Sequence, residues 1–159
     1  MPSKLQSVLL AGLIVGTINP FLQLIPTLGG CLACLLFLGT GVIAVWHYTS
    51  THSLTVAAGT GAGTGALAGV VAALVSAMVA LLLQSLDILP SVEDIISEME
   101  SSGAFDNMPD EQRDTVINWT RMSAGPVGYA IGAVMGLVFG AVGGAIGAAI
   151  FKKGEDDGF

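Results

Sequence analysis

The chain has 159 residues, 53% of them hydrophobic and only 11% charged, with a formal net charge of −7. That length holds one domain, and a surface wetted on every side cannot be built from so few charges. Five Lys and Arg against twelve Asp and Glu exclude a basic nucleic-acid-binding face.

The charges are also unevenly placed. No Lys, Arg, Asp or Glu lies between Lys4 and Asp87, and none from Met122 to Phe151. All acids except Glu155, Asp156 and Asp157 fall between these two runs. A bilayer core takes roughly 20 apolar residues per helix, so the first run has space for three spans and the second for one. The expected fold is all-α: a single integral membrane domain over 1–159, a four-helix bundle with a short amphipathic helical hairpin between helices three and four.

The first span is expected over about 5–25. Lys4 before an apolar stretch, with Leu28-Gly29-Gly30-Cys31 further on, superficially resembles a cleaved lipoprotein signal. The residues after Cys31 stay apolar where a processed lipoprotein turns polar, so the segment is taken as a retained span. Gly12 and Gly16 form a small-residue pair on it. Pro20 frees a backbone carbonyl and predicts a kink, with the Asn19 amide placed to compensate. Polar groups inside a membrane are functional candidates, so Asn19 and Gln23 are the candidates for a polar pathway, weighed against a plain interhelical hydrogen bond.

Pro26, Thr27, Gly29 and Gly30 break the chain before a second span over about 28–46. Cys31 and Cys34 share a helix face. A structural zinc needs two more ligands, and His47 lies about 20 Å further along a helix rising 1.5 Å per residue. No metal is expected; the thiols are read as inert, with a disulfide or lipid modification as the alternatives. Trp46 and Tyr48 are interfacial anchors, and the polar run His47 to Ser53 is the expected break.

The third span, about 54–84, carries Gly61, Gly65, Gly69, Ala73 and Ala77 at a spacing of four. No lysine follows the glycines at 59–65, which removes a phosphate loop. In the acidic stretch 87–122, Ser101-Ser102-Gly103 divides two amphipathic helices. Ser91 is an N-cap with Asp94 three residues on, and Val92, Ile95, Ile96 and Met99 share a face. The second helix starts near Asn107-Met108-Pro109, with Pro109 at an early helical position and Asp110 and Glu111 favourable against the dipole. The acids lack the alternating spacing of a calcium loop. This hairpin is read as a cap over the bundle mouth, with partner docking as the sharper alternative.

The fourth span, about 123–151, repeats glycine every four residues at Gly128, Gly132, Gly136, Gly140 and Gly144. Lipid gives helices no hydrophobic reason to associate, so close approach across small residues is a principal source of attraction. The ten glycines Gly12, Gly16, Gly61, Gly65, Gly69, Gly128, Gly132, Gly136, Gly140 and Gly144 are therefore helix-packing candidates, and spans three and four are expected to cross closely. A glycine-zipper pore is the rival reading, against which stands the lack of a polar lining in span four.

The proline leading into a Cys-containing second span, the aromatic exit at Trp46 to Tyr48, the small-residue third span and the Met108-Pro109 turn together resemble a group of small bacterial membrane proteins without an assigned activity. The resemblance covers most of the chain, rests on no specific motif and implies a bacterial cytoplasmic membrane. Lys4, Lys152 and Lys153 place the termini in the cytoplasm and the acidic hairpin outside. No nucleophile, metal or proton-relay motif is found, so no enzyme and no cofactor are expected. The functional expectation is a structural or accessory subunit with lipid, copies of itself or other membrane subunits as partners; the alternative is an oligomeric passive channel or small-solute carrier.

Overall fold

The computed structural model describes residues 4–22 and 29–151; Gln23, Lys152, Lys153 and the side chain of Cys31 lie outside what is described. The described residues form six α-helices and no strand: α1 (Leu5–Leu22), α2 (Gly29–His52), α3 (Ala58–Ser85), α4 (Val92–Ser101), α5 (Asp110–Ser123) and α6 (Pro126–Ile150). Of these, α1, α2, α3 and α6 are long and apolar enough to cross a membrane. At 1.5 Å per residue α3 is about 42 Å long, so it is longer than a hydrocarbon core of roughly 30 Å, which it would cross only by tilting or projecting.

The burial pattern inverts that of a water-soluble protein. On α1 the buried residues are Ser7, Val8, Ala11, Gly12, Val15, Gly16, Asn19 and Pro20, in adjacent pairs recurring every four positions. The same paired row runs along α3 through Thr64, Gly65, Ala68, Gly69, Ala72 and Ala73. Large apolar side chains point outward instead: Leu67 is 61% exposed, Leu74 58% and Val134 61%. Water would drive such residues inward. Hydrocarbon does not, and what holds helices together there is backbone proximity across small residues.

The closest contact joins α3 and α6, which run antiparallel. A methyl group built on Gly61 would lie 2.5 Å from the Gly144 carbonyl oxygen, and methyls on Gly65 and Gly69 would strike the carbonyls of Gly140 and Gly136. The relation is mutual, since methyls on Gly136, Gly140 and Gly144 would strike the carbonyls of Gly69, Gly65 and Gly61. Each Cα–H therefore points at a carbonyl oxygen across the interface, the geometry of weak Cα–H···O bonds. On α1, a methyl on Gly16 would sit 2.6 Å from the Ala72 oxygen, and Gly12 is held as tightly against Val71. A third seam joins α2 and α6 in parallel, with Gly143 against Leu38 and Gly147 against Val42 and Val45, while Gly41 meets Gly140 and Gly144.

Two of the expected packing glycines do not serve this way. Gly132 has open space around its Cβ position, and Gly128 meets only Ser123, just ahead of its own helix. The physical reason is that α3 and α6 diverge beyond the Gly69–Gly136 contact, leaving the upper part of the glycine row without a facing backbone.

Other boundaries differ from the sequence expectations for local reasons. The helix α2 continues through the polar run at His47 and ends at His52. Tyr48 and Thr49 are buried, Thr49 Oγ1 donates to its own helix at Val45 O (2.9 Å), and Ser7 Oγ meets His47 Nδ1 at 2.9 Å across α1 and α2. The start of the run turns inward while Ser50 and Thr51 stay exposed, and the helix continues through it. Its end is set by Ser53 in the left-handed region (φ 51°), with Leu54 N–H donating to Thr49 O. The third helix accordingly starts at Ala58, later than expected. Asp87 (φ 54°) closes α3 in the same way through Ile88 N–H to Leu83 O. Pro109 stands just outside α5 with extended backbone, whereas Pro126 opens α6.

Between the third and fourth long helices, α4 begins with a complete capping box. Ser91 Oγ accepts from Asp94 N–H while the Asp94 carboxylate accepts from Ser91 N–H at 2.9 Å. The helix ends at Gly103 (φ +74°), where Ala104 N–H reaches back to Met99 O, and the positive φ there favours glycine. Two arginines of α5 hold it to α4: Arg113 pairs with Glu100 at 2.6 Å, and Arg121 meets Glu93 through two parallel bonds of 3.2 Å. Arg113 also lies 5.5 Å from the centre of the buried Phe105 ring.

Candidate functional site

Where α3 and α6 part, the long helices and the acidic pair α4 and α5 line a partly open cavity of about 500 Å³, within the usual size of a small-molecule site. Its most buried lining residues are Asn19, Ala73 and Ser76. Phe37 of α2 and Gly128 and Gly132 of α6 form walls, and Gly132, with nothing near its Cβ position, adds to the cavity's width. Leu89, Pro90, Val92 and Ile95 lie over it from the α4 side, and Thr120 and Ser123 from α5.

Asn19 is the one strongly buried polar residue here with a partly unmet need. It is 4% exposed, its Nδ2 donates to Ser76 Oγ on α3 at 2.9 Å, and its Oδ1 has no partner among the described residues. Exchanging the amide oxygen and nitrogen leaves the conclusion standing, because the Ser76 hydroxyl can satisfy only one end. An unpaired buried polar atom costs about 1–3 kcal/mol. The amide does not compensate the carbonyl freed by Pro20, as the sequence had led us to expect; it reaches across to α3 instead. Pro20 is itself fully buried and lies within α1, and Gly16 one turn earlier brings this helix close to α3. Gln23, the other candidate for a polar pathway, is outside the described residues.

At the opposite end, Ser7 bonds His47, the Tyr48 ring lies 5.1 Å from the His52 ring, and His52 Nδ1 has no partner among the described residues. Cys34 is a half-buried free thiol. Among the described residues no three His, Cys, Asp or Glu side chains come together to hold a metal ion.

The acidic pair has its own electrostatics. Bonds from the Ser91 hydroxyl and then the Ser91 backbone hold the Asp94 carboxyl below the usual carboxylate range. The Arg121 guanidinium is pushed above its usual value by the hydrogen bond and charge of Glu93. Both groups are exposed, and a surface ion pair such as Arg121–Glu93 contributes little to stability.

Several residues of consequence were not singled out from the sequence. Ser76 belongs to the row Thr64, Ala68, Ala72, Ser76, which lies beside the glycine row of α3 and is as small; that parallel row was the available signal. Gly41 of α2 and Gly143 and Gly147 of α6 belong to the seam between those two helices, without the unbroken spacing that marked the α3–α6 row.

Four apolar helices of spanning length, glycine seams and outward leucines are compatible with one class, a membrane protein. No family model matches the chain, and neither does any curated protein or solved structure.

Proposed function

We propose that this chain is a non-catalytic four-span membrane protein, a four-helix bundle capped by an acidic helical hairpin, acting as a structural or accessory subunit of a membrane assembly. The observation that carries the reading is the reciprocal backbone contact between α3 and α6, which commits the long helices to each other rather than to a reaction centre. Its partners are lipid and either copies of itself or other membrane subunits. The resemblance in the sequence supports a bacterial cytoplasmic membrane, and the lysines near both ends support cytoplasmic termini with the hairpin outside.

Support for assembly comes from what the bundle leaves unused. Most glycine faces are consumed internally, but Gly59 and Gly63 on α3 are exposed and have nothing near their Cβ positions. Gly63, in the helix interior, costs about 0.5–1 kcal/mol relative to alanine, and no described residue packs against its Cβ position. A second copy approaching this face would. Extraction in mild detergent followed by native mass measurement is expected to find a complex; a lone monomer under every mild condition overturns assembly. Labelling a cysteine introduced at Ser102 from each side tests the orientation.

The second reading, an oligomeric passive channel or small-solute carrier with Asn19 and Gln23 on the path, draws on the cavity. A path through one protomer is opposed by Thr40, Ala44, Ala68 and Ala72, all fully buried between the cavity and the other mouth. Liposomes holding purified protein are expected to show no solute flux or conductance.

A further inference from the structure

The geometry points to the cavity between α3, α6 and the acidic pair as a binding site for an uncharged, lipid-like amphiphile, whose hydroxyl group hydrogen-bonds Asn19 and Ser76. The inference rests on the chain being a membrane protein and adds a ligand to that reading. Three features of the site set the ligand chemistry.

Among the described residues no Asp, Glu, Lys or Arg lines the cavity, so a charged ligand would lose its hydration without gaining a counter-ion there. Most of the wall is apolar, with Ala33, Phe37, Ala73, Ala77, Ala80 and Leu89 offering contact to a hydrocarbon chain. The buried Asn19 amide keeps one unsatisfied end, and the Ser76 hydroxyl beside it can both donate and accept. A ligand hydroxyl has the same two capacities, so it completes the pair whichever way the amide is turned. With the amide oxygen as the unpaired end, as the structure has it, an ether or hydrocarbon lacks the donor that this oxygen needs.

The exposed part of the lining is of two kinds: Tyr129 and Ile95, 36% and 38% exposed, and the more polar edge formed by Gln84, Pro90 and Ser123. On α6 the neighbouring Val127 and Ile131 face outward, so one edge of the cavity adjoins an apolar surface and another a polar one, which suits an amphiphile over a purely polar solute.

The test exposes the full chain, reconstituted in lipid nanodiscs, to a medium-chain monoacylglycerol carrying a diazirine, with labelled peptides mapped by mass spectrometry. Label is expected on the segments 73–84 and 124–132, and to fall about tenfold when the probe hydroxyls are methylated, the loss expected for one hydrogen bond at a buried polar site. Gly132→Leu fills space that is open in the wild type and is expected to abolish the label with thermal stability retained. Ser76→Ala and Asn19→Leu are each expected to reduce it, Ser76→Ala guarding against misfolding of the other. Label spread evenly over the outward faces of α3 and α6, equal labelling by the methylated probe, or full labelling of Gly132→Leu would overturn the site. Competition by free glycerol as strong as by unlabelled monoacylglycerol would overturn the lipid-like ligand. A chain that stays folded and dissolved without detergent would instead overturn the membrane reading beneath it.

Discussion

At the scale of single residues, glycine has two opposite meanings on one helix. Gly140 is pressed against the Gly65 carbonyl, so any Cβ there must push α3 and α6 apart, whereas Gly132 faces open space. Gly140→Ala is therefore expected to destabilise by about 1–3 kcal/mol, the usual cost of overpacking. Gly132→Ala is expected to be neutral or to stabilise by up to about 1 kcal/mol through helix propensity. Thermal unfolding of the two variants in the same detergent checks both signs. The sequence presents Gly128 to Gly144 as one uniform row, and nothing local distinguishes its halves. Spacing along a helix fixes the angular position of each residue but not the distance to the neighbouring axis. Asn19 was legible as a polar residue in an apolar span, but its partner Ser76 lies on another helix and a bond between them is a property of the packed state. The cavity was not legible at all, since it exists only because two helices that touch at Gly69 and Gly136 separate above them.

At the scale of elements, features encoded within a few residues could be read and those depending on distant partners could not. The start of α4 is of the first kind, because Ser91 and Asp94 satisfy each other three positions apart. That box also carries a pH dependence. The Asp94 pKa is lowered in the folded protein by the Ser91 side chain and then its backbone, so the folded state takes up this proton at lower pH than the unfolded chain. Its contribution is present in full above the ordinary carboxylate range and is lost as pH falls through the lowered folded value. The protection of the amides at 92–96, corrected for the pH dependence of intrinsic exchange, is expected to fall on such acidification, and Ser91→Ala should show the lower protection at neutral pH already. An unchanged exchange pattern in that variant would mean that tertiary contacts alone hold the helix start. The end of α2 is of the second kind. His47 to Ser53 reads as a polar break, but Tyr48 and Thr49 turn inward and His47 meets Ser7 on α1, so the helix runs on until Ser53 adopts a left-handed conformation without a glycine. Helix existence followed from composition, and its exact stopping point from a contact forty residues away.

At the scale of the whole molecule, the arrangement of large and small side chains decides the solvent. Gly59 and Gly63 are exposed small residues on a helix whose other glycines are engaged, so replacing both with Leu is expected to leave the monomer folded and to remove any complex seen by native mass measurement. Retention of the complex would move the contact to another face. A sharper test of the solvent itself uses Leu74, 58% exposed near the middle of α3. In water, changing an outward leucine to lysine removes exposed apolar surface and is harmless or helpful. In hydrocarbon it exchanges a favourable group for a charge, at a cost of roughly 3 kcal/mol at the centre of a span. Leu74→Lys is thus expected to lower the fraction of chain recovered folded in lipid vesicles, while Ser97→Lys on the exposed face of α4 is expected to have no such effect. The sign of the first change carries the information: improved folding without lipid would place that face of α3 in water, and with it the leucine and valine surface that the glycine seams turn outward.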